Sequence, residues 1–169
     1  MSSATVNLTA GAGSSSLLVL RGSALAAPDS TDPFNPPFEV RAFAAEPAAS
    51  DPNIAKIRIV HAARGFRGVN VGLCNCTTAD LDVYIDVAGT DAQTATPVLL
   101  NYDAVSTGYI ELPGAEYNIS ATEAGNPSNV RVNGLPQLSF PGGSVTTLVI
   151  KDSTFGSTVT VIPVDDRQQ

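Results

Sequence analysis

The sequence has few of the side chains that usually carry chemistry. Its 169 residues include no Trp, one Met, one His and two Cys. Nine Lys and Arg stand against sixteen Asp and Glu, and only 15% of the residues are charged. The low basic content excludes the electrostatic footprint of a nucleic-acid-binding protein. Because an enzyme of this composition would work mainly with carboxylates and hydroxyls, we predict a protein that is not an enzyme and has no cofactor.

Long apolar runs and clustered metal ligands are also absent. Ser, Thr, Gly and Asp interrupt every apolar run well before the roughly 18 residues that a membrane helix requires, so we predict no membrane span. Structural zinc takes four ligands, and two Cys with a single His do not supply them. We therefore predict no metal site. The hydrophobic content of 43% is nevertheless ample for a folded core, which excludes a disordered acidic chain.

The pattern that is present is typical of β-structure. Short alternating or β-branched runs are bounded by Gly, Pro, Asn and Asp, and helical periodicity is almost absent. We predict an all-β chain: an immunoglobulin-like antiparallel β-sandwich with additional N-terminal strands. The predicted strands are Thr5–Leu8, Ser16–Arg21, Phe38–Ala44, Ala55–Ala62, Val69–Leu73, Asp80–Val87, Thr96–Tyr102, Thr107–Leu112, Glu116–Glu123, Val130–Asn133, Gln137–Phe140, Ser144–Asp152 and Thr158–Pro163.

One predicted strand shows the expected two faces clearly. Alternation assigns Leu81, Val83, Ile85 and Val87 to the core, and assigns Asp80, Asp82, Tyr84 and Asp86 to a solvated face. Carboxylates on that second face could bind calcium, but a solvated strand face is the interpretation that we favour. His61, the single histidine, shares its phase with Ile57 and Ile59, which predicts a partly buried structural role.

An internal repeat is the most informative feature of the chain. Leu8–Ser23 aligns without gaps on Leu138–Ser153, and the alignment matches Leu18 with Leu148, Val19 with Val149 and Leu20 with Ile150. Further on, Phe38-Glu-Val40 resembles Val159-Thr-Val161. Chance similarity between two hairpins is the alternative, but the order and spacing of the next strand favour a repeat.

The repeat predicts how the chain is divided. Residues 1–47 resemble the C-terminal part of a preceding module and would act as docking or donor strands. Residues 48–55 are a linker, residues 56–166 a complete sandwich module, and residues 167–169 a tail. A few strands cannot bury their own apolar face, so residues 1–47 either pack on their own module or complete a sheet of a neighbouring subunit. The candidate donor-strand residues are Val6, Leu8, Leu18, Leu20, Phe38 and Val40.

Three motifs within the predicted module carry a family resemblance. They are Ile57-Arg-Ile-Val-His-Ala62, Leu81-Asp-Val-Tyr-Ile-Asp86 and Thr107-Gly-Tyr-Ile-Glu-Leu-Pro-Gly114. On these motifs the chain resembles the bacterial and archaeal domain-of-unknown-function family numbered 4397, over residues 56–166. The resemblance implies a secreted or cell-surface protein built from tandem immunoglobulin-like modules, and it brings no catalytic residues. The chain departs from that pattern by an insertion between Arg64 and Ala79.

The insertion holds the remaining candidate site residues. Cys74 and Cys76 are two residues apart, so on an extended strand their Cα atoms would lie about 6.6 to 6.8 Å apart, at the limit of disulfide geometry. A strained local bridge, a pair of intermolecular bridges and free buried thiols all remain open. Arg64, Phe66 and Arg67 are the candidate ligand-binding residues, because loops at the end of a sandwich are natural recognition sites.

Together these features predict a non-catalytic, extracellular or cell-surface structural protein. The expected partner is the protein itself, in a fibre or filament built by β-strand complementation between subunits. The alternative is an adhesin-like or carbohydrate-binding sandwich, whose partner would be a polysaccharide or another cell-surface ligand.

Overall fold

The structure is a computed structural model of the chain. It describes residues 16–21, 37–46, 50–63, 80–90, 93, 95–100, 106–132, 137–152 and 159–166. All regular elements in these ranges are strands, so the predicted all-β class is confirmed. The strands are β1 (Ser16–Arg21), β2 (Glu39–Ala44), β3 (Ile54–His61), β4 (Leu81–Val87), β5 (Val98–Leu100), β6 (Ile110–Pro113), β7 (Ala115–Glu123), β8 (Asn126–Val132), β9 (Leu138–Phe140), β10 (Val145–Asp152) and β11 (Val159–Asp165).

Most predicted strands coincide with these elements to within a few residues. β1 has the predicted bounds, Ser16–Arg21. β3 begins at Ile54, inside the segment predicted as a linker, because Ile54 and Ala55 already pair with β6. The predicted strands Thr5–Leu8 and Val69–Leu73 lie outside the described residues. No helix in the described ranges is long and apolar enough to cross a membrane.

Two sheets form a β-sandwich. The first sheet has the order β11-β10-β3-β6, in which β3 pairs parallel with β10 and the other pairs are antiparallel. The second sheet has the order β5-β4-β7-β8, and β9 pairs with the start of β7. β1 and β2 form a separate two-stranded antiparallel sheet. The immunoglobulin-like form of the topology stays a prediction.

The core lies between the two sheets, where alternate residues of facing strands meet. The first sheet contributes Ala55, Ile57, Ile59, Leu148, Ile150 and Val161, and the second contributes Leu81, Val83, Leu100, Tyr117, Ile119, Ala121 and Phe140. These side chains follow the period of two that a half-buried strand requires. The outer face of the first sheet therefore carries the intervening residues of β3 and β10, and the β1–β2 hairpin covers them.

One end of the sandwich is closed by tight backbone packing. A Cβ on Gly142 would lie 2.0 Å from the carbonyl oxygen of Pro52, which no side chain could tolerate. The next residue, Gly143, has φ +77, a left-handed conformation that favours glycine. Its amide donates to the carbonyl of Ile54. The turn before β10 is thereby fixed against the start of β3.

The predicted division of β4 into a core face and a solvated face is wrong in part. Val87, predicted to lie in the core, is 52% exposed at the end of the strand. Leu81 and Val83 lie in the core as predicted, but Tyr84 and Asp86 on the opposite face are buried too. The Asp86 carboxylate accepts hydrogen bonds from the backbone amides of Gln93 and Ala95, at 2.8 Å each. The acidic side chain is therefore buried as the acceptor that holds the following loop, a role that alternation alone does not reveal.

Candidate assembly surface

The β1–β2 hairpin packs on the outer face of the first sheet through one of its own two faces. Val19 is buried against Val60, with Leu17, Phe43, Ala62 and Val149 packed around them. Alternation puts the side chains at 17, 19 and 21 on this face. The described hairpin therefore docks on its own module, one of the two arrangements that the sequence allows.

A buried arginine fixes the β2 side of the hairpin. The guanidinium of Arg58, on β3, lies between the rings of Phe43 and Tyr109, at 5.3 and 4.6 Å from their centroids. Its Nη1 donates to the carbonyl oxygen of Ala44, at 3.0 Å. Because Phe43 and Ala44 belong to β2, Arg58 connects the hairpin to the sheet by both cation–π contact and a hydrogen bond.

The charge of Arg58 is balanced by Asp166, at the end of β11. The two side chains form a buried ion pair, and Arg58 Nε donates to Thr147 Oγ1 at 3.2 Å. Thr147 Oγ1 in turn donates to Asp166 Oδ2 at 2.7 Å, and the Tyr109 hydroxyl donates to the same carboxylate oxygen. Such a fully hydrogen-bonded cluster is the condition under which a buried charge is tolerated.

The environment of this cluster perturbs one titratable group. Burial raises the pKa of the Tyr109 phenol above its ordinary value, and the hydrogen bond to Asp166 raises it further. The nearby Arg58 charge opposes the rise but does not cancel it. Tyr109 therefore stays a neutral hydrogen-bond donor throughout the physiological pH range.

A second arginine fixes the far end of the hairpin. Arg21 is buried, pairs with Glu39 across the hairpin, and donates from Nη1 to the carbonyl oxygen of His61 at 3.4 Å. Glu39 also accepts from Arg41 Nε at 2.8 Å. His61, predicted to be partly buried, is almost fully buried at the end of β3. The hairpin is thus attached to the sheet at both of its ends.

The other face of the hairpin is apolar and points away from the module. Leu18, Leu20 and Phe38 are 42%, 61% and 43% exposed, and Val40 is partly buried. Cross-strand pairing puts Leu20 opposite Val40, and Leu18 opposite Ala42. Four of the six predicted donor-strand residues therefore share one exposed face. The other two, Val6 and Leu8, lie outside the described residues.

This exposed face has a buried counterpart in the β10–β11 hairpin. The repeat in the sequence aligns Leu18 with Leu148, Leu20 with Ile150 and Val40 with Val161. In the structure Leu20 pairs with Val40 across its hairpin, and Ile150 pairs with Val161 across the other. The cross-strand register is thus the same in both hairpins. In β10–β11, however, the corresponding residues fill the core of the sandwich.

The described part of the chain also leaves the hairpin with open edges. β1 and β2 pair with each other and with no other named strand. In the first sheet, by contrast, β10 has β11 on one side and β3 on the other. An open strand edge offers unpaired amides and carbonyls to an added strand. The hairpin therefore combines an exposed apolar face with strand edges that could accept a partner.

The remaining candidates from the sequence lie elsewhere. Cys74, Cys76, Arg64, Phe66 and Arg67 fall in residues 64–79, outside the described ranges. Among the described residues, no group of three or more His, Cys, Asp or Glu side chains could hold a metal ion. The Asp82 carboxylate accepts from the amide of Gly125 at 2.8 Å.

The arginine cluster escaped the sequence analysis, although part of its signal is visible. Arg58 interrupts the apolar run Ile57–Val60, and a lone cation among β-branched residues indicates a buried, paired charge. Nothing in the sequence near Asp166 identifies it as the partner. Thr147 and Asp166 reach Arg58 only because β10 lies parallel to β3 and β11 follows beside it.

Comparisons with known proteins found no match among the models of protein families, the curated proteins or the solved structures.

Proposed function

We propose that this chain is a non-catalytic structural protein of the cell exterior, incorporated into a surface fibre through its β1–β2 hairpin. The observation that carries the proposal is the exposed face of Leu18, Leu20, Phe38 and Val40. Its counterpart in β10–β11 is core, and apolar residues grouped on one exposed sheet face are typical of an interaction surface. Assembly of this kind needs no active site.

The contacts that attach the hairpin to the sandwich also fix its orientation. Its inner face is held by the Val19 cluster, by Arg21 and by Arg58, so the outer face is presented at a defined orientation to the sandwich. A neighbour that packs on this face and pairs with an open edge makes a heterologous contact. Where successive related modules each present such a hairpin, repetition of the contact extends a filament unless the rotation closes a ring.

The test is incorporation of the protein into surface assemblies in the cells that produce it. We expect immunogold electron microscopy to place the unmodified chain in fibres, and Leu18→Ser/Leu20→Ser to remove the label from them. Leu99→Ser is the matched control, because Leu99 is 56% exposed on β5, in the second sheet. Equal labelling by the double variant and the control, with both folded by circular dichroism, contradicts the proposal.

A ligand-binding module is the second candidate, favoured by how the strand ends are arranged. His61 pairs with Ile150, Arg21 bonds to His61, and Leu81 pairs with both Glu123 and Leu100. The contact between Arg21 and His61 puts the ends of β1 and β3 at the same end of the first sheet, and recognition sites of sandwich proteins cluster at the ends of their strands. Polysaccharide pull-down that is abolished by Phe66→Ala supports this function, and retention by the Phe66→Ala variant contradicts it.

A further inference from the structure

The position of Arg58 restricts which module the hairpin can join, an inference that rests on the proposed function. The register match shows where a β1–β2 hairpin fits in a sandwich of this architecture. It would take the position of β10–β11, with β1 parallel to a β3-like strand and Leu18, Leu20 and Val40 in the core. In a complete copy of this module that position is already filled by β10–β11.

Side-chain chemistry gives a second reason against a copy of this chain as the recipient. In the module, Thr147 lies opposite Arg58 in the parallel ladder, and Asp166 follows β11. The alignment that matches the two hairpins puts Leu17 at the position of Thr147 and Ala45 at that of Asp166. Neither side chain accepts a hydrogen bond, so the hairpin beside this β3 would leave Arg58 buried without its carboxylate.

The same two differences between the aligned hairpins indicate which sheet the β1–β2 hairpin would fit. Leu17 would pack well against an apolar residue at the position of Arg58. If that residue is uncharged, Ala45 at the position of Asp166 leaves no buried charge without a partner. We infer that the hairpin's partner is a related β-sandwich module with an uncharged, apolar residue at the position of Arg58, and not a second copy of this chain.

Site-specific photo-crosslinking of the full chain tests this inference. Leu18 is replaced by p-benzoylphenylalanine, and the protein is irradiated in the cells that produce it. Ala42, on the same hairpin face, is the second labelled site in case the first variant misfolds. Ile162, which is exposed on β11 of the first sheet, is the control site. Crosslinked peptides are then sequenced by mass spectrometry.

The expected result is at least a tenfold enrichment, at positions 18 and 42 over position 162, of peptides from one other module. Its sequence should align with β3 to β7 of this chain and carry an apolar residue at the position of Arg58. Crosslinks to residues 81–87 or 117–123 of a second copy overturn the inference and leave the proposed function standing. A recipient with Arg or Lys at that position, or an unrelated protein, also overturns it. Absence of enrichment overturns both proposals.

Discussion

The two hairpins of this chain, β1–β2 and β10–β11, share a cross-strand register but differ in where their apolar faces lie. Leu148 and Ile150 are 0% and 1% exposed, whereas the aligned Leu18 and Leu20 point away from the protein. The comparison shows that alternation determines which side chains share a face. Whether that face is buried depends on the sheet that packs against it. The sequence of the strand alone does not specify that sheet.

The largest expected effect concerns Asp166, whose aligned residue beside the β1–β2 hairpin is Ala45. Asp166→Ala leaves Arg58 buried without its partner, and we expect the free energy of unfolding to fall by about 3 to 5 kcal/mol. Arg58→Leu combined with Asp166→Ala removes the pair as a unit and should recover most of that loss. Urea denaturation followed by circular dichroism measures both variants. Equal losses in the single and double variants would show that the ion pair is not what Asp166 contributes.

Truncating aligned leucines tests the difference in burial directly. Leu148→Ala should lower the free energy of unfolding by about 2 to 5 kcal/mol, because it opens a cavity in the core. Leu18→Ala, at the aligned position, should change it by less than about 0.5 kcal/mol in the purified protein. The same denaturation experiment serves for both. Similar losses at the two positions would mean that the outer hairpin face is covered within the isolated chain.

Hydrogen exchange sharpens the comparison by measuring each hairpin separately. The β1–β2 hairpin is held by a small apolar cluster and two arginines, of which Arg58 contacts β2, whereas β10 lies inside a four-stranded sheet. Amides of β1 should therefore exchange through local opening, at lower free energy than those of β10. Val19→Ala should lower protection in β1 by about 1 to 2 kcal/mol and leave β10 unchanged. Equal loss of protection in both strands would indicate a single cooperative unit.

The smallest expected effect is a change in pH dependence. Because the pKa of Tyr109 is raised above 10.0 in the folded protein, the folded state holds the phenolic proton more tightly than the unfolded state. The contribution of this group is complete below pH 10 and is lost as the pH rises further. Tyr109→Phe should make the free energy of unfolding fall less steeply between pH 10 and 11. Because Tyr109 is only partly buried and solvent screens its interactions, the change in slope should be well below the roughly 1.4 kcal/mol per pH unit that one proton allows. An unchanged slope in urea denaturation at these two pH values contradicts the assignment.

Local patterns in the sequence identified most strands, because alternation and turn residues act over a few positions. β1 could be predicted to the residue, and the shared face of Leu18, Leu20 and Val40 follows from the same period of two. The burial of Asp86 and the pairing of Arg58 with Asp166 could not be predicted. Each depends on which strand or loop lies alongside, which is a property of the topology.

The parallel ladder between β3 and β10 has a consequence for how the protein is made. Arg58 and Thr147 hydrogen-bond across 89 residues of sequence, and the intervening chain supplies the whole of the second sheet. During synthesis β3 therefore leaves the ribosome long before the strand that completes its sheet. Contacts of such long sequence separation fold slowly, because the loop has to close before they form. A nascent chain that stops before β10 cannot complete the first sheet, so the native fold is reached only after β10 and β11 have been synthesised.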